Sequence, residues 1–145
     1  MNIYFAGSIS GGRAYLAIYR ELVAFLKEAG HLIYTEHIVD PAVLDKEMQL
    51  TAQQVYERDM SWLTECDCLI AEISNPSLGV GYEVCAALTL DKPVLCLYRQ
   101  GLFASRMLTG NTRPGLTVRT WQDRRDWEMH IRAFLQDCTA NGKRA

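Results

Sequence analysis

The stretch from Asn75 to Glu83, NPSLGVGYE, follows an apolar run and ends on a carboxylate. Its glycines, Gly79 and Gly81, are spaced as in a dinucleotide-binding loop, but Val84 stands where the third glycine of that motif belongs. We predict that Glu83 lies in or near the first turn of a helix, where the helix dipole keeps it ionised at neutral pH. A carboxylate there repels a pyrophosphate. The loop is therefore predicted to present Glu83 and not to bind NAD.

Glu83 and Asp59 each lie on an otherwise apolar helical face. The neighbours of Glu83 on its face are Ala86, Ala87 and Leu90, and those of Asp59 are Val55, Trp62 and Leu63. Two carboxylates that meet at one cleft are suited to acid–base or nucleophilic catalysis. Each residue also has an ordinary interpretation. Glu83 could be a solvated glutamate in the first turn of its helix, and Asp59 could form a structural hydrogen bond to a neighbouring loop. Periodicity does not decide between these interpretations.

Two further features could contribute to the same cleft. His37 ends the second predicted strand and could line the cleft, although an exposed histidine is the more common case. The segment GSISGGR at 7–13 has glycines that permit close backbone approach, serines that offer hydroxyl groups, and a helix start that can hold an anion. A glycine-rich turn without a ligand is the alternative. The residues concerned are Gly7, Ser8, Ser10, Gly11 and Gly12.

Five apolar runs alternate with helical patterns and are predicted to be strands. They are NIYFAG (2–7), HLIYTE (31–36), CLIAEIS (68–74), PVLCLY (93–98) and LTVRTW (116–121). This alternation predicts a five-stranded parallel sheet with helices on both faces, an α/β three-layer sandwich of the flavodoxin/Rossmann-like type. Ligands of such folds bind where the strand order reverses, beyond the carboxyl ends of the strands. The candidate loops are therefore those after the first and third strands.

The connections between these runs carry helix signals. A helix is predicted over Arg13–Ala29, with Gly30 as its C-terminal cap. A second helix is predicted to start with Asp40 as N-cap and Pro41 as first residue. A third is predicted from Thr51 to about Glu65, with Gln54 completing a capping box. Helical patterns also cover Val84–Leu90 and Asp123–Cys138. The chain is predicted to be one domain, 1–145, with a frayed tail at 137–145.

Composition excludes several classes of function. The net charge of −2 gives no basic patch for nucleic acid or for a membrane surface, and no apolar run is long enough to span a membrane. The chain also opens without a leader pattern, so a cytoplasmic protein is predicted. Five cysteines without paired spacing predict buried, reduced thiols, and the scattered histidines predict no metal site.

Taken together, four motifs resemble the nucleoside 2-deoxyribosyltransferase superfamily, and within it most closely the 2′-deoxynucleoside 5′-phosphate N-hydrolases. The motifs are IYFAGSISGGR, TEH, ERDMSWL and AEISNPSLGVGYE, and the resemblance covers about residues 2 to 135. It implies that Glu83 is the nucleophile and that Asp59 assists the sugar or the leaving base. It also implies that Tyr4 lies near the sugar and the nucleophile. It also implies that the phosphate is bound by Ser8, Ser77 and, from the neighbouring subunit of a homodimer, Ser105.

The predicted binding set is completed by Tyr19 and by further residues of these motifs, namely Phe5, Gly7, Ile9, Gly11, Gly12, Arg13, His37 and Gly79. The hydrolase branch usually has GSIRGGR, so Ser10 replaces an arginine beside the phosphate, while Arg13 remains. The resemblance implies hydrolysis of a 2′-deoxynucleoside 5′-monophosphate to free base and deoxyribose 5-phosphate, without a cofactor. A deoxyribosyltransferase, a ribonucleotide N-glycosidase and a non-catalytic nucleotide sensor are the alternatives.

Overall fold

Five parallel strands form one sheet across residues 1–9, 12 and 14–142, the part of the chain that the computed structural model describes. Their order is β2-β1-β3-β4-β5, which confirms the predicted parallel sheet and places its reversal between β1 and β3. The strands are β1 (Asn2–Ala6), β2 (Leu32–Ile33), β3 (Cys68–Glu72), β4 (Val94–Arg99) and β5 (Leu116–Trp121).

Helices connect these strands and cover both faces of the sheet. They are α1 (Leu16–Glu28), a 3-10 helix (Glu36–Val39), α2 (Val43–Glu47), α3 (Ala52–Glu65), α4 (Leu78–Thr89), α5 (Arg106–Thr109) and α6 (Arg124–Gly142). Helices α1 and α6 bury their apolar residues in one core, while α3 and α4 contribute to the other. The predicted three-layer sandwich is therefore confirmed.

The alternation of side chains along β1 decides which of its residues face the candidate carboxylates Asp59 and Glu83. Ile3 and Phe5 belong to the core beneath α1 and α6, whereas Tyr4 and Ala6 belong to the core beneath α3 and α4. Successive side chains of a strand point to opposite faces of the sheet. Tyr4 is thereby directed towards the two helices that carry Asp59 and Glu83.

Strand β2 is shorter than the run 31–36 predicts, because a side chain replaces the sheet hydrogen bonds. The Thr35 hydroxyl accepts a hydrogen bond from the Phe5 N–H at 2.9 Å and donates one to the Phe5 carbonyl at 2.6 Å. Both backbone groups of Phe5 are satisfied in this way, so the chain leaves the sheet without orphaning them. It continues as the 3-10 helix that contains His37.

The helix starts agree with the sequence where a capping box is present and differ elsewhere. Thr51 caps α3, and the reciprocal bonds with Gln54 confirm the predicted box. The predicted start of α2 is wrong, since Ala42 is its N-cap and Asp40 instead accepts a bond from the Ala42 N–H at 2.8 Å in the preceding turn. Helix α6 continues as far as Gly142, through most of the segment 137–145 predicted to fray.

The cysteines and the helices add two simple findings. All five cysteines are free, but Cys85 is exposed and Cys138 is partly exposed, which corrects the prediction that every thiol is buried. Within the part of the chain that the structure describes, no helix combines the length and the apolar character needed to cross a membrane.

Candidate active site

A narrow cavity of about 40 Å³ opens at the carboxyl edge of the sheet, next to the reversal between β1 and β3. Its walls come from β1 and the loop that follows it, the 3-10 helix, α2, α3 and α4. The lining includes residues singled out in the sequence, namely Tyr4, Phe5, Gly7, Ile9, His37, Asp59 and Glu83. Two carboxylates far apart in the sequence therefore share one cavity with a tyrosine from the central strand β1.

Helix α4 begins earlier than the glycines of its sequence suggest. Ser77 is its N-cap and accepts a hydrogen bond from the Val80 N–H at 3.4 Å, so Gly79 and Gly81 lie inside the helix and not in a loop. Glu83 is consequently in the second turn, beyond the first-turn N–H groups that stabilise an anion. The prediction that the helix dipole keeps Glu83 ionised is therefore wrong.

Glu83 and Tyr4 form a partly buried hydrogen-bonded pair. Tyr4 is 1% exposed, and its hydroxyl donates to Glu83 Oε1 at 2.8 Å. Burial raises the pKa of Glu83 to about 7, with Asp59 adding to the rise, while the bond from Tyr4 and the charge of Arg58 oppose it. Burial and the neighbouring Glu83 raise the pKa of Tyr4, so the phenol remains a donor at neutral pH. The Glu83 carboxyl is thus oriented by Tyr4, and it changes between its protonated and ionised forms close to neutral pH.

Asp59 lines the cavity from α3 and is paired within its own helix. Arg58 donates from Nε to Asp59 Oδ1 at 2.9 Å and from Nη1 to Glu47 Oε1 of α2 at 2.8 Å, and its Nη2 lies 2.8 Å from Asp59 Oδ1 as an ion pair. Among the residues that the structure describes, no hydrogen bond joins the Asp59 side chain to a neighbouring loop, which was the alternative interpretation. Asp59 lines the cavity and is held there by the adjacent arginine.

His37 lines the same cavity, as the sequence suggested, although it belongs to the 3-10 helix and not to a strand. Its ring packs against Trp62 with the centroids 5.6 Å apart, and its Nε2 lies 3.4 Å from Glu47 Oε1. Burial and the charge of Arg58 lower the pKa of His37, so the imidazole is neutral at pH 7. His37 therefore adds a polar but uncharged wall.

The loop after β1 is built against Tyr19 of α1. A Cβ on Gly7 would lie 2.9 Å from the Tyr19 ring, which explains why glycine occupies this position. The Tyr19 hydroxyl accepts a hydrogen bond from the Ser8 N–H at 3.1 Å. The side-chain hydroxyl of Ser8 is buried and has no hydrogen-bond partner within the described residues. Since buried polar groups are normally paired, Ser8 is available to a ligand.

The loops after β1 and β3 meet at Gly12. Gly12 has φ of +115°, which favours glycine, and its carbonyl accepts a hydrogen bond from Asn75 Nδ2 at 3.1 Å. The two loops predicted to bind the ligand are thus joined to each other. Ser10 and the predicted binding residues Gly11 and Arg13 lie outside the described residues.

Ser77 and Ser105 line a different surface feature, which we call the α4 groove. It has a volume of about 600 Å³ and runs between the start of α4 and the segment 103–113. Ser105 is exposed and caps α5, accepting a hydrogen bond from the Met107 N–H at 3.3 Å. The cavity that contains Glu83 is lined by other described residues, and Ser77, Gly79 and Ser105 are not among them. A single chain therefore does not bring Ser105 to its own Glu83.

Arg58 and Glu47 were missed in the sequence because nothing marks them as a pair. They lie 11 positions apart on separate helices, and both line the cavity. Arg58 directly precedes Asp59, which was predicted as a site residue. A carboxylate on an apolar helical face needs a partner, so the adjacent arginine could have been predicted to pair with it. Glu47 lies in the connection whose helix start was predicted incorrectly, so the sequence offered no means of placing it.

Glu72 was also missed, although a charge in the apolar run CLIAEIS is a visible signal. It is fully buried at the end of β3 and accepts hydrogen bonds from the Ser74 hydroxyl, from the Ser74 N–H at 3.3 Å and from Trp121 Nε1 at 3.2 Å. Burial raises the pKa of Glu72 to about 7. Glu72 does not line the cavity, and it fixes the start of the loop that leads to Ser77.

Residues 3–120 match the model of the nucleoside 2-deoxyribosyltransferase family. The chain belongs to this family. A relative from Methanococcoides burtonii, provisionally named 2′-deoxynucleoside 5′-phosphate N-hydrolase 1, is 46% identical over 121 residues, which are 83% of this chain and 99% of that protein. The 5-hydroxymethyl-dUMP N-hydrolase of Danio rerio is 39% identical over an alignment that covers 97% of this chain and 100% of that protein.

Solved structures agree on the fold of the nucleoside 2-deoxyribosyltransferase family. A CMP N-glycosidase of Clostridium botulinum matches with a TM-score of 0.66 and 17% identity, covering 90% of this chain and 98% of that one. A 2-deoxyribosyltransferase of Bacillus psychrosaccharolyticus matches with a TM-score of 0.62 and 17% identity, covering 85% and 87% of the two chains. Identities this low support the architecture, and the activity must be argued from the site.

Proposed function

We propose that this protein hydrolyses the N-glycosidic bond of 2′-deoxynucleoside 5′-monophosphates, releasing the base and 2-deoxyribose 5-phosphate. The observation that carries the proposal is the partly buried hydrogen bond from Tyr4 to Glu83, at a cavity that Asp59 also lines. A carboxylate that is oriented, desolvated and close to its ionisation point is suited to nucleophilic attack. The names of the relatives from M. burtonii and D. rerio support the same substrate class.

The proposed reaction proceeds in two displacements at C1′ of the sugar. The ionised Glu83 carboxylate attacks C1′, a glycosyl ester forms, and the electron pair of the broken C–N bond leaves with the base, which takes up a proton. Water then attacks C1′, loses its proton and releases Glu83, with net retention of configuration. Asp59 contacts the sugar or the leaving base, and Tyr4 holds Glu83 in line.

Phosphate recognition is proposed to use the loops after β1 and β3. The unpartnered, buried hydroxyl of Ser8 is one donor, and Ser77 at the positive end of α4 is another. The contact between Asn75 and Gly12 keeps the two loops together, so a phosphate bound by one is held near the other. Arg13 is proposed as a charged partner of the phosphate on the family resemblance.

A homodimer with shared active sites is the proposed assembly, and the α4 groove is its interface. The groove is lined largely by apolar side chains, and Leu78, Phe103 and Met107 beside it are 97%, 97% and 83% exposed. Apolar side chains concentrated at one surface mark an interaction site. In an isologous dimer the groove of one chain receives the segment around Ser105 of the other. Ser105 is proposed to reach the partner's phosphate by this route.

A screen of deoxynucleoside monophosphates, ribonucleoside monophosphates and free deoxynucleosides for base release tests the proposal. We expect the deoxynucleoside monophosphates to be the best substrates, because the phosphate supplies orientation and Tyr4 crowds the 2′ position. Chromatography of the products, with and without an added acceptor base, separates hydrolysis from transfer. Equal rates on matched deoxy and ribo substrates would favour a ribonucleotide glycosidase, and an intact ligand after long incubation would favour a non-catalytic binding protein.

The dependence of kcat/KM on pH should report the ionisation of Glu83. Because only the anion can attack, activity is expected to be full above about pH 8 and to fall tenfold or more by about pH 6, following the pKa of about 7 that burial gives this carboxyl. Initial rates in buffers of constant ionic strength measure the profile. A profile that stays flat down to about pH 5 would mean that a group other than Glu83 limits the reaction.

A further inference from the structure

All three guanidinium nitrogens of Arg58 contact carboxylates at the cavity. Its Nε donates to Asp59 of the same helix, its Nη2 forms an ion pair with the same carboxylate, and its Nη1 donates to Glu47 of α2. The guanidinium also lies over Trp62, with Cζ 4.9 Å from the ring centroid. Adjacent residues of a helix normally point in different directions, so Arg58 must curl back to bond Asp59. A side chain fixed on two edges and one face cannot change its orientation freely.

The charges around Glu83 give this fixed cation a specific task. Among the described residues, the titratable and charged groups that face Glu83 come from β1, the 3-10 helix, α2 and α3, and they are Tyr4, His37, Glu47, Arg58 and Asp59. Of these, Glu47 and Asp59 are acids, Tyr4 stays protonated and His37 is neutral at pH 7. Arg58 is therefore the permanent cation among the described residues that line the cavity.

We propose that Arg58, anchored by Glu47, is a positioning residue of the glycosidase site that orients Asp59 and offsets the mutual repulsion of the carboxylates around Glu83. The proposal rests on the proposed function for its kinetic consequence, but not for its geometry. Glu47 anchors Arg58 from a different helix, so the orientation of Asp59 depends on the packing of α2 against α3. Without Arg58, Asp59 and Glu83 would face each other as like charges in a partly buried site, where their repulsion is screened less than in bulk water.

The test compares Arg58→Met, Arg58→Lys and Glu47→Gln with the parent protein. Arg58→Met removes the charge and keeps the stem, and Arg58→Lys keeps the charge but cannot bond both partners from a planar group. We expect kcat to fall by about ten- to a hundredfold in both Arg58 variants with KM changed much less, because Arg58 acts through Asp59 and Glu83. Arg124→Met is the matched control, since Arg124 also pairs with a glutamate and covers a tryptophan, Trp127, away from the site.

A titration of Glu83 followed by carbon-13 NMR of its side-chain carboxyl tests the same proposal without turnover. The signal is assigned by its loss in Glu83→Gln. Arg58→Met should move the midpoint upward by about one pH unit, and Glu47→Gln should move it downward, because the first removes a positive charge near Glu83 and the second a negative one. Arg58→Lys should leave it close to the parent value. Opposite shifts of this kind are not expected of a salt bridge that only joins α2 to α3.

The outcomes separate this proposal from the proposed function. An unchanged midpoint for Glu83 in Arg58→Met, together with kcat within about twofold of the parent, would overturn the role of Arg58. If Arg58→Met does not fold, the downward shift in Glu47→Gln and the loss of kcat in Arg58→Lys decide the matter, and the absence of both overturns it. If the parent releases no base from any monophosphate, the proposed function fails, while the titration still decides whether Arg58 acts on Glu83.

Discussion

Replacing Glu83 by glutamine is expected to lower turnover by about three orders of magnitude or more while nucleotide binding persists. Glutamine keeps the size of the side chain and can still bond the Tyr4 hydroxyl, which lies 2.8 Å from Glu83 Oε1. It is a far weaker nucleophile than a carboxylate and cannot form the same glycosyl ester. Single-turnover base release measures the chemical step, and calorimetry with a deoxynucleoside monophosphate measures binding.

The covalent intermediate can be tested directly in the parent protein. Acid quenching during turnover, followed by peptide mapping, should find a sugar phosphate on the peptide that contains Glu83 and none on the same peptide of Glu83→Gln. Glu57→Gln, on the exposed surface of α3, is a control for the loss of a carboxylate elsewhere. Activity of Glu83→Gln within tenfold of the parent would show that Glu83 is not the nucleophile.

Ser105→Asp is expected to abolish activity when present in both chains of the proposed dimer, and to be rescued by mixing with Glu83→Gln. The aspartate places a negative charge against the phosphate of the partner's site and leaves its own Glu83 intact. A mixed dimer then has one site with both defects and one intact site. With random exchange, about half of the dimers are mixed, so about a quarter of the parental activity should return.

The control for this experiment is Ser105→Asn. Serine, aspartate and asparagine all serve as N-caps, so either replacement can keep the bond to the Met107 N–H that starts α5, and only the aspartate adds charge. Ser105→Asn should therefore lose much less activity. The two inactive variants must be co-expressed so that their chains exchange, with mass spectrometry confirming mixed dimers. No recovery in such dimers would show that Ser105 acts within its own chain or not at the site.

The sequence predicted the sheet because its strands are buried on both faces and are therefore continuously apolar. It could not predict that β2 ends early, because the cause is a contact between Thr35 and Phe5, which are 30 residues apart. The same contact places His37 on a 3-10 helix. A local pattern indicates which segments can enter a sheet, whereas the point at which a segment leaves it depends on the neighbouring strand.

Helix starts were predictable where the capping side chains are themselves the signal. Thr51 and Gln54 satisfy each other, so α3 starts where the sequence places it. At α4 the two glycines led to the prediction of a loop, although Ser77 is a typical N-cap residue and caps the helix in the structure. Glycine in a helix costs only about 1 kcal/mol, which tertiary packing can offset. The resulting error of one helical turn changed the predicted environment of Glu83 from the helix dipole to burial.

The sequence predicted which residues meet at the candidate site better than it predicted the charges around them. Tyr4, Asp59 and Glu83 meet in one cavity, as the periodicity and the family resemblance implied. Arg58 and Glu47, which determine much of the charge there, depend on a contact between two helices that no local spacing reveals.

The burial of Glu72 and Glu83 sets conformational stability against catalysis. Burial raises the pKa of each from 4.5 to about 7. An acid whose pKa is higher in the folded chain contributes stability below its unfolded pKa and loses that contribution as the pH rises through the folded value. That contribution is therefore lost between about pH 5 and pH 7, and Glu83 gains its reactive form as the pH passes through about 7. The protein should accordingly withstand unfolding best under mildly acidic conditions, where its proposed nucleophile is protonated and idle.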